Sequence, residues 1–559
     1  MRLAWLRNEW LLLCLLVLVG LAPRLAAIRF NVWPHGDVVL DAALADSLAL
    51  RGQLLIPIVD VRFYAADRFG FGYPPDQHPP LWALLGTVGR LLWTDSYESL
   101  KVWSLIAGLA LLPAVYLWSK DLLGRRAALF AVALASVSYL LIDFSGNGSL
   151  WSLLALLYVL FCWRLAHLGS GERREAVILG LIMGAAYLVN YPAVVLPAVF
   201  VSYCLVRRLA PDLTPSPSPR RGGETALALG VMLVVVLPWA AYSTATFGNP
   251  IFSQPLQRQL GGSDKLVDLV VTDGGVVKQP RTTAEGLPAI VRRTAVNLYG
   301  NIGFLLRQSF VVLPLIGAFA LAAGGVLGWR LLRGEVSPLT GVLALAAAHL
   351  ALILIWPTTK FRYLVPLVPL AVLLGTWFLW QLQPANLRGV LATLTLTLTL
   401  TTSVWTFRSV PSRTYYYDGG AVTDNFGGQG EIRWVEEVQR IERAAAVLRS
   451  AGPGVVLGTH PFYHLAPGHP LIINSRQYSQ TIVEFFVRRY GVQYVWTEQD
   501  SVGFYRAFLP IEVLWQDDGF ALLRLSSLAN TTIAEYDSTS DFHSFRDPTS
   551  QEQSGSRPL

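Results

Sequence analysis

About eleven apolar segments of membrane-spanning length dominate the sequence. A helix that crosses a bilayer needs about 20 apolar residues, and a charge at its centre costs roughly 2.5–3.5 kcal/mol. We expect no acidic or basic residue deep inside these segments, and only 14% of the chain is charged. The candidate spans are 9–29, 100–119, 126–142, 149–167, 175–190, 192–208, 224–246, 308–330, 338–356, 363–382 and 388–406. The sequence therefore predicts an α-helical polytopic membrane protein and excludes a simple cytosolic enzyme.

Basic residues in the short loops predict how the chain is oriented, because Lys- and Arg-rich loops stay in the cytoplasm. All the basic loops can lie on the cytoplasmic side only if two conditions hold. The apolar segment 79–93 must not cross the membrane, and the chain must turn at 190–192. We therefore predict a helix at 79–93 that lies on the outer membrane surface. The large outer loops are then 30–99 and 247–307. Because the basic residues are scattered, the net charge of +7 indicates no nucleic-acid partner.

The character of the chain changes after the membrane unit, which we place at 1–406. Residues 430–526 combine a charged amphipathic segment with short apolar runs, a pattern typical of a small extracytoplasmic α/β domain. The predicted helices and strands are 431–449 and 481–490, and 455–457, 471–474, 492–497, 511–515 and 520–525. The tail 527–559 is polar and Ser/Thr-rich, which predicts disorder.

Residues 393–402 alternate Leu and Thr, a period of two that normally indicates a strand. A single strand cannot satisfy its backbone hydrogen bonds in lipid. We therefore predict a helix in which the Thr hydroxyls bond back to backbone carbonyls.

Asp37 is the acidic residue of the first outer loop that stands out by position. It lies just beyond a helix end and before the amphipathic run 38–50, whereas the other acids of this loop, such as Asp41 and Asp46, are expected to be solvated. A carboxylate beside apolar rings at a membrane surface has its pKa raised by desolvation, which suits a general base. The alternative is an N-cap of the following helix.

Lys360 and Arg362 break the positive-inside tendency, because both lie in the short outer turn 356–362. An anionic group at the outer membrane surface would compensate them, and a lipid-linked phosphate is the simplest candidate. Arg offers a planar fork to phosphate oxygens, and Lys adds a point charge. The alternative is that both side chains snorkel to ordinary lipid headgroups.

The histidines give weaker signals. His460, His464 and His469 share one stretch, and zinc is one interpretation, but the neighbouring prolines favour a loop. His349 lies inside a predicted span, where a hydrogen-bonded interior residue is favoured over a proton relay.

Five motifs follow one another along residues 10–405. They are PHGD at 34–37, QHPPLW at 77–82, the Gly-rich segment 180–190, PW at 238–239 followed by FGNP at 247–250, and KFRYLVP at 360–366. In this order they resemble the polytopic glycosyltransferases of the GT-C class, in the branch that contains protein O-mannosyltransferases and the lipid A aminoarabinose transferase.

The resemblance implies transfer of a sugar from a polyprenyl-phosphate-linked donor to an acceptor hydroxyl on the outer face of the plasma (inner) membrane. The acceptor is left open among protein, lipid and glycan. Asp37 would deprotonate or orient the acceptor. Lys360 and Arg362 would hold the carrier phosphate, with His78 and Tyr363 in the same substrate site.

The sequence also departs from the family. Many members have an acidic pair at the first site, where Val38 follows Asp37 here. A second carboxylate is usual in the outer turn 143–148, where Asn147 stands closest to its position and Asp143 is the candidate substitute. No cofactor is therefore certain, and a bound divalent metal is left open.

Two other functions compete with this interpretation. One is a transporter or flippase of lipid-linked sugars, which ranks lower because the sequence shows neither an internal repeat nor a buried charge pair. The other is a non-catalytic relative that acts in envelope assembly, which the missing second carboxylate favours.

Overall fold

Helices make up most of the structure, a computed structural model that describes residues 2–30, 36–59, 74–75, 78–92, 95–168, 173–209, 221–251, 267–272, 275–280, 287–356, 361–409, 429–458, 463, 466, 469–473 and 480–526. The helices are α1 (Arg2–Phe30), α2 (Gly36–Arg51), α3 (Leu81–Leu92), α4 (Ser96–Leu123), α5 (Arg125–Val137), α6 (Tyr139–Asp143), α7 (Trp151–His167), α8 (Arg173–Val189), α9 (Val195–Leu209), α10 (Arg221–Phe247), α11 (Leu287–Val312), α12 (Ile316–Leu332), α13 (Pro338–Ile355), α14 (Leu367–Gln381), α15 (Ala385–Ser409), α16 (Gln429–Ala451), α17 (Gln480–Tyr490) and α18 (Val502–Arg506). The strands are β1 (Ile58–Val59), β2 (Val267–Thr272), β3 (Gly275–Pro280), β4 (Val455–Gly458), β5 (Leu471–Ile473), β6 (Val492–Glu498), β7 (Ile511–Gln516) and β8 (Phe520–Leu525). The predicted tail 527–559 lies outside the described residues.

Five of the described helices are long and apolar enough to cross a membrane. They comprise Glu9–Arg29, Ser96–Leu123, Gly223–Phe247, Pro338–Ile355 and Ala385–Thr406. Shorter apolar helices accompany them, among them α7, α12 and α14. The mostly helical architecture is therefore as predicted, and the number of about eleven spans stays a prediction.

The predicted span 308–330 is wrong as a single helix. The structure has α11, which extends back to Leu287 inside the predicted outer loop 247–307, and a separate helix α12. Pro314 lies between them, and proline lacks the N–H that a continuing helix needs. Leu315 has a φ of 59°, a left-handed conformation that ends the helical path.

The predicted span 126–142 is likewise interrupted, at Ser138 between α5 and α6. Arg24 of α1 lies at this break. Its guanidinium donates to the carbonyls of Ser136 (3.2 Å) and Ala135 (3.3 Å), which lie at the C-terminal end of α5. Arg24 lies five residues from the end of the predicted span 9–29, and its side chain is fully buried within the protein. A buried cation is tolerated here because backbone carbonyls with no helical partner accept its hydrogen bonds.

The Leu/Thr segment is helical, as predicted, and forms part of α15. The hydroxyls of Thr395, Thr399 and Thr402 donate to carbonyls four residues earlier at 2.7–2.8 Å. Each polar side chain is thus satisfied within its own helix, which allows the segment to remain apolar outside.

α3 lies within the predicted surface helix 79–93. Trp82, Ala83, Gly86 and Gly89 are its buried residues. Its exposed large side chains form a stripe that follows the helical period, Leu84, Val88, Leu91 and Leu92. An apolar stripe directed outward suits a helix lying on a bilayer surface, and that location stays a prediction.

The C-terminal region contains the small sheet that the sequence predicts, with strands within two residues of the predicted positions. The strand order is β1-β5-β4-β6-β8-β7. β1, β5, β4 and β6 are parallel, and β8 and β7 continue the sheet in antiparallel fashion. The edge strand β1 comes from the predicted first outer loop, which belongs to the predicted membrane unit. The sheet therefore combines residues from both predicted domains.

α2 is shared between two hydrophobic cores. Val38 and Ala42 belong to the core of the helical bundle. Val39, Ala43 and Leu44 belong to a second core, which also contains residues of α16 and of the sheet. The helix that carries Asp37 is thus held on one face by the bundle and on the other by the C-terminal region.

Candidate active site

Asp37 and Arg362, which are far apart in the sequence, form an ion pair. Asp37 lies in the first turn of α2, and Arg362 lies in the short 3-10 turn Phe361–Leu364. Arg362 Nη1 is 2.6 Å from Asp37 Oδ2, with the two side chains 10% and 26% exposed. Because the guanidinium is paired and largely buried, a role of Arg362 in a functional site is favoured over its extension to lipid headgroups. Lys360, the other predicted cation, lies outside the described residues.

The turn that carries Arg362 is anchored by a buried histidine. His349 Nε2 lies 3.0 Å from the carbonyl oxygen of Tyr363, so this nitrogen donates. The hydroxyl of Tyr158, 2.9 Å away, then donates to Nδ1 of the neutral ring. His349 is therefore a hydrogen-bonded interior residue, as the sequence favoured.

The ring of Tyr363 packs edge-on against Trp151, with ring centroids 5.3 Å apart. The guanidinium of Arg362 lies 5.5 Å from the centroid of the same ring. Tyr363 thus fixes the turn through its carbonyl and its ring, and its predicted contact with substrate stays a prediction.

Asp41 lies one helical turn after Asp37, so the two carboxylates share a face of α2. Asp41 Oδ1 is 3.4 Å from His78 Nδ1, and the two side chains are 9% and 14% exposed. Burial raises the pKa of Asp41, against the opposing effect of His78. Burial alone would lower the pKa of His78, but the carboxylates of Asp41 and Asp37 raise it above its ordinary value. The pair therefore retains a proton at a higher pH than an isolated histidine does.

The predicted outer turn after α6 packs against the start of α2. Gly148 has a φ of 79°, and a Cβ atom added there would lie 3.3 Å from Val38 Cγ1. Trp82 Nε1 donates to the Gly148 carbonyl at 3.0 Å, which ties the same turn to α3. The turn is therefore fixed beside the residue that follows Asp37.

The two polar candidates of this turn are both buried. Asp143 ends α6 and is 1% exposed. Asn147 is equally buried, and its Oδ1 accepts a hydrogen bond from the Ser149 N–H at 3.0 Å. Asn147 thus stabilises the turn itself, and the catalytic role of Asp143 stays a prediction.

The histidines of the C-terminal region give no metal site among the described residues. Nδ1 and Nε2 of His469 face the carbonyls of Ala466 (3.2 Å) and Gly452 (2.9 Å). His460 and His464 lie outside the described residues. Within the described part of the chain, no group of three or more His, Cys, Asp or Glu side chains could hold a metal ion.

Asp41 is the residue of this cluster that sequence reasoning missed. It was grouped with solvated loop acids, whereas the structure buries it. The spacing of four residues from Asp37 was the available signal, because it places both carboxylates on one face of any helix that starts here.

A family model matches part of the chain. Residues 77–242 match the dolichyl-phosphate-mannose-protein mannosyltransferase family. The matched segment begins one residue before His78 and ends within α10. No curated protein matches the sequence.

Several solved structures share the fold. ArnT from Cupriavidus metallidurans in the apo state matches with a TM-score of 0.58 and 14% identity, over 92% of this chain and 98% of that chain. ArnT from the same organism bound to undecaprenyl phosphate gives 0.56 and 15%, over 91% and 97%. The archaeal oligosaccharyltransferase AglB from Archaeoglobus fulgidus, in complex with an inhibitory peptide and a dolichol-phosphate, gives 0.53 and 13%, over 88% and 69%.

These comparisons confirm the resemblance to GT-C class membrane glycosyltransferases. Together with the five helices of spanning length, they also confirm the prediction of a membrane protein. The choice of membrane and the side on which the loops lie stay predictions.

Proposed function

We propose that the protein is a membrane glycosyltransferase that moves a sugar from a polyprenyl-phosphate carrier to an acceptor hydroxyl. The ion pair between Asp37 and Arg362 carries the proposal, because it joins a base and a phosphate-binding cation in one place. The ligands named for the fold neighbours, undecaprenyl phosphate in ArnT and dolichol-phosphate in AglB, support a polyprenyl-phosphate donor.

The proposed topology follows the sequence. About eleven spans lie within residues 1–406, and the loops 30–99 and 247–307 lie on the extracytoplasmic side of the plasma membrane. The region 430–526 lies on that side as well. The stripe of exposed apolar side chains on α3 supports this arrangement, since it fits a helix resting on the outer surface.

In the proposed reaction, the acceptor oxygen bonds to the anomeric carbon as the bond from that carbon to the phosphate oxygen breaks. Asp37 takes the proton of the acceptor hydroxyl. The phosphate leaves with a second negative charge, which Arg362 and Lys360 stabilise. A general base contributes roughly 10²–10⁴-fold to such a rate, and stabilisation of the developing charge contributes in the same direction.

The ion pair also suggests how donor binding prepares the site. Without a donor, Arg362 neutralises the Asp37 carboxylate. A carrier phosphate is a competing anion with a geometry that a guanidinium recognises. When Arg362 turns to the phosphate, Asp37 is released for the acceptor hydroxyl, so the base becomes active once the donor is in place.

The test is Asp37→Asn in the full chain, purified into lipid nanodiscs and assayed with a panel of radiolabelled polyprenyl-phosphate sugars. We expect the turnover rate to fall about 10²–10⁴-fold. Binding of undecaprenyl phosphate should be retained or become tighter, because the variant no longer competes for Arg362. Transfer at the wild-type rate would remove Asp37 from the proposed mechanism.

The matched control is Asp95→Asn. Asp95 is the N-cap of α4 and accepts hydrogen bonds from the N–H groups of Tyr97 (2.7 Å) and Glu98 (3.0 Å). Asparagine caps helices about as well as aspartate does, so this variant should keep its activity. A loss of transfer in Asp95→Asn equal to that in Asp37→Asn would show that the effect is not specific to the site.

A non-catalytic role in envelope assembly remains the second candidate, and Asn147 is the observation that favours it. This residue lies where the resemblance places a second carboxylate, and its side chain is bonded to the adjacent backbone. The same assay distinguishes the two functions. A wild-type protein that binds undecaprenyl phosphate but transfers no sugar from any donor of the panel would support the non-catalytic role.

A further inference from the structure

The buried pair of Asp41 and His78 is the part of the cluster to which the proposed reaction gives no function of its own. Asp41 Oδ1 lies 3.4 Å from Nδ1 of the His78 ring. Within the described residues, the structure gives His78 Nε2 no hydrogen-bond partner. Among the described residues, the contact of Nδ1 with Asp41 is therefore the one that fixes the ring.

The pair lies within electrostatic range of the Asp37–Arg362 ion pair, because the charges of Asp37 and Arg362 act on both His78 and Asp41. Three parts of the chain supply these four groups, and one of them is the turn that carries Arg362. α2 carries both carboxylates, and residue 78 precedes α3. A carboxylate that is nine-tenths buried would be costly with no cation near it, and among the described residues His78 is the basic side chain in direct contact with it.

We propose that Asp41 is a positioning residue that orients His78 and keeps it cationic, so that the His78 Nε2–H donates to the carrier phosphate. This inference rests on the proposed function and deepens it. Arg362 then binds the carrier phosphate before the reaction, and His78 donates a further hydrogen bond as that phosphate gains its second negative charge.

The chemistry requires no further reactant. The acceptor proton goes to Asp37, the bond from the anomeric carbon to the phosphate oxygen breaks, and the phosphate changes from one negative charge to two. His78 keeps its proton throughout and acts as a hydrogen-bond donor. A charge-assisted bond to phosphate is shorter and stronger than a neutral one, which is why the cationic ring matters.

The pH dependence gives a readout that a purely structural role of Asp41 would not change. The raised pKa of His78 means that the cation persists above pH 6.5, the ordinary value for histidine, and is lost as the pH rises through the raised value. Donor affinity and kcat/KM should therefore decline on the alkaline side. In Asp41→Asn the carboxylate is absent, so this decline should move to lower pH by about 1 unit.

His78→Lys provides a second variant that stands on its own. Lysine keeps its charge to about pH 10, so the alkaline decline should disappear below that pH. An Asp41→Asn decline that coincides with the wild type, or a His78→Lys profile that keeps the decline, would overturn the inference.

Asp46→Asn is the matched control, because Asp46 lies on the same helix and bonds to Arg90 Nε (3.1 Å) and Ser96 Oγ (2.6 Å). It removes a partly buried carboxylate from α2 at a distance from His78. Stability should fall in this variant while the alkaline decline stays in place. A control that shifts the decline as far as Asp41→Asn does would also overturn the inference.

A binding measurement separates this inference from the proposed function. Quenching of tryptophan fluorescence by undecaprenyl phosphate, followed across pH, needs no transfer reaction. If the wild type transfers no sugar but its affinity for undecaprenyl phosphate falls with pH as described, the function fails and the assignment of Asp41 is upheld. If transfer occurs and the affinity is independent of pH, the assignment fails alone.

Discussion

Ile58, which follows α2 in the predicted first outer loop, pairs with Leu471 of the C-terminal sheet in a parallel register. This pairing joins the loop that carries Asp37 to a region more than 400 residues further along the chain. α2, which carries Asp37, has residues in both hydrophobic cores. The C-terminal region therefore supports the helix on which the two carboxylates lie.

Ala43→Arg should test that support. Ala43 is fully buried in the second core, so a long cation there leaves an unpaired buried charge, which costs several kcal/mol. We expect a lower melting temperature in nanodiscs, release of the C-terminal region to protease and loss of transfer. Leu50→Arg is the control, because Leu50 is on the same helix and 67% exposed. Equal behaviour of the two variants would contradict the shared-core arrangement.

Arg362→Gln should weaken binding of undecaprenyl phosphate about 10- to 100-fold, since hydrogen bonds to charged groups contribute roughly 1.5–3 kcal/mol. Arg362→Lys should lie between this variant and the wild type, because lysine keeps the charge but loses the planar fork. Isothermal titration calorimetry measures the affinity of both variants for undecaprenyl phosphate. Arg388→Gln changes an arginine that bonds to the Trp380 carbonyl instead, and its affinity should equal that of the wild type. Unchanged affinity in Arg362→Gln would remove the phosphate role.

Much of the fold could be predicted from the sequence, because the hydropathy of a segment and the hydrogen bonding of its backbone both depend on residues that are close in the sequence. The Leu/Thr segment became α15 for the predicted reason, the back-bonding of Thr395 and its neighbours. The C-terminal strands followed from their apolar runs. The join between β1 and β5 could not be predicted, because a two-residue strand carries no periodicity and its partner is distant in the sequence.

Single residues of the candidate site could be predicted from the sequence, but the contacts between them could not. Asp37 and Arg362 each stood out from position and charge, and the structure shows that they touch. Arg24 is buried, and carbonyls at the end of α5 accept its hydrogen bonds. Such compensation depends on a neighbouring helix that hydropathy does not identify.

His349→Leu should show that the turn of Arg362 depends on a residue outside the reacting groups. The variant leaves the buried Tyr158 hydroxyl and the Tyr363 carbonyl without their bonds to the ring, which costs about 1–3 kcal/mol for each unsatisfied group. We expect reduced thermal stability together with a raised KM for the donor. Tyr158→Phe is the milder comparison, because it keeps the bond to Tyr363. If KM stays at the wild-type value in His349→Leu, this bond does not position Arg362.

Gly148→Ala should disturb the start of α2 from the opposite side. Its φ of 79° costs a residue with a Cβ roughly 1–2 kcal/mol, and the new atom would lie 3.0 Å from the Tyr97 ring and 3.3 Å from Val38. Gly491→Ala is the control, because Gly491, which follows the last residue of α17, has a φ of 64° with nothing within 4 Å of the added Cβ. Both variants place a residue with a Cβ atom at a positive φ, but Gly148→Ala also brings that atom against Val38, the residue next to Asp37. We therefore expect similar small losses of thermal stability and a much larger fall in kcat for Gly148→Ala. Equal kcat values for the two would show that this turn does not position the proposed catalytic carboxylate of Asp37.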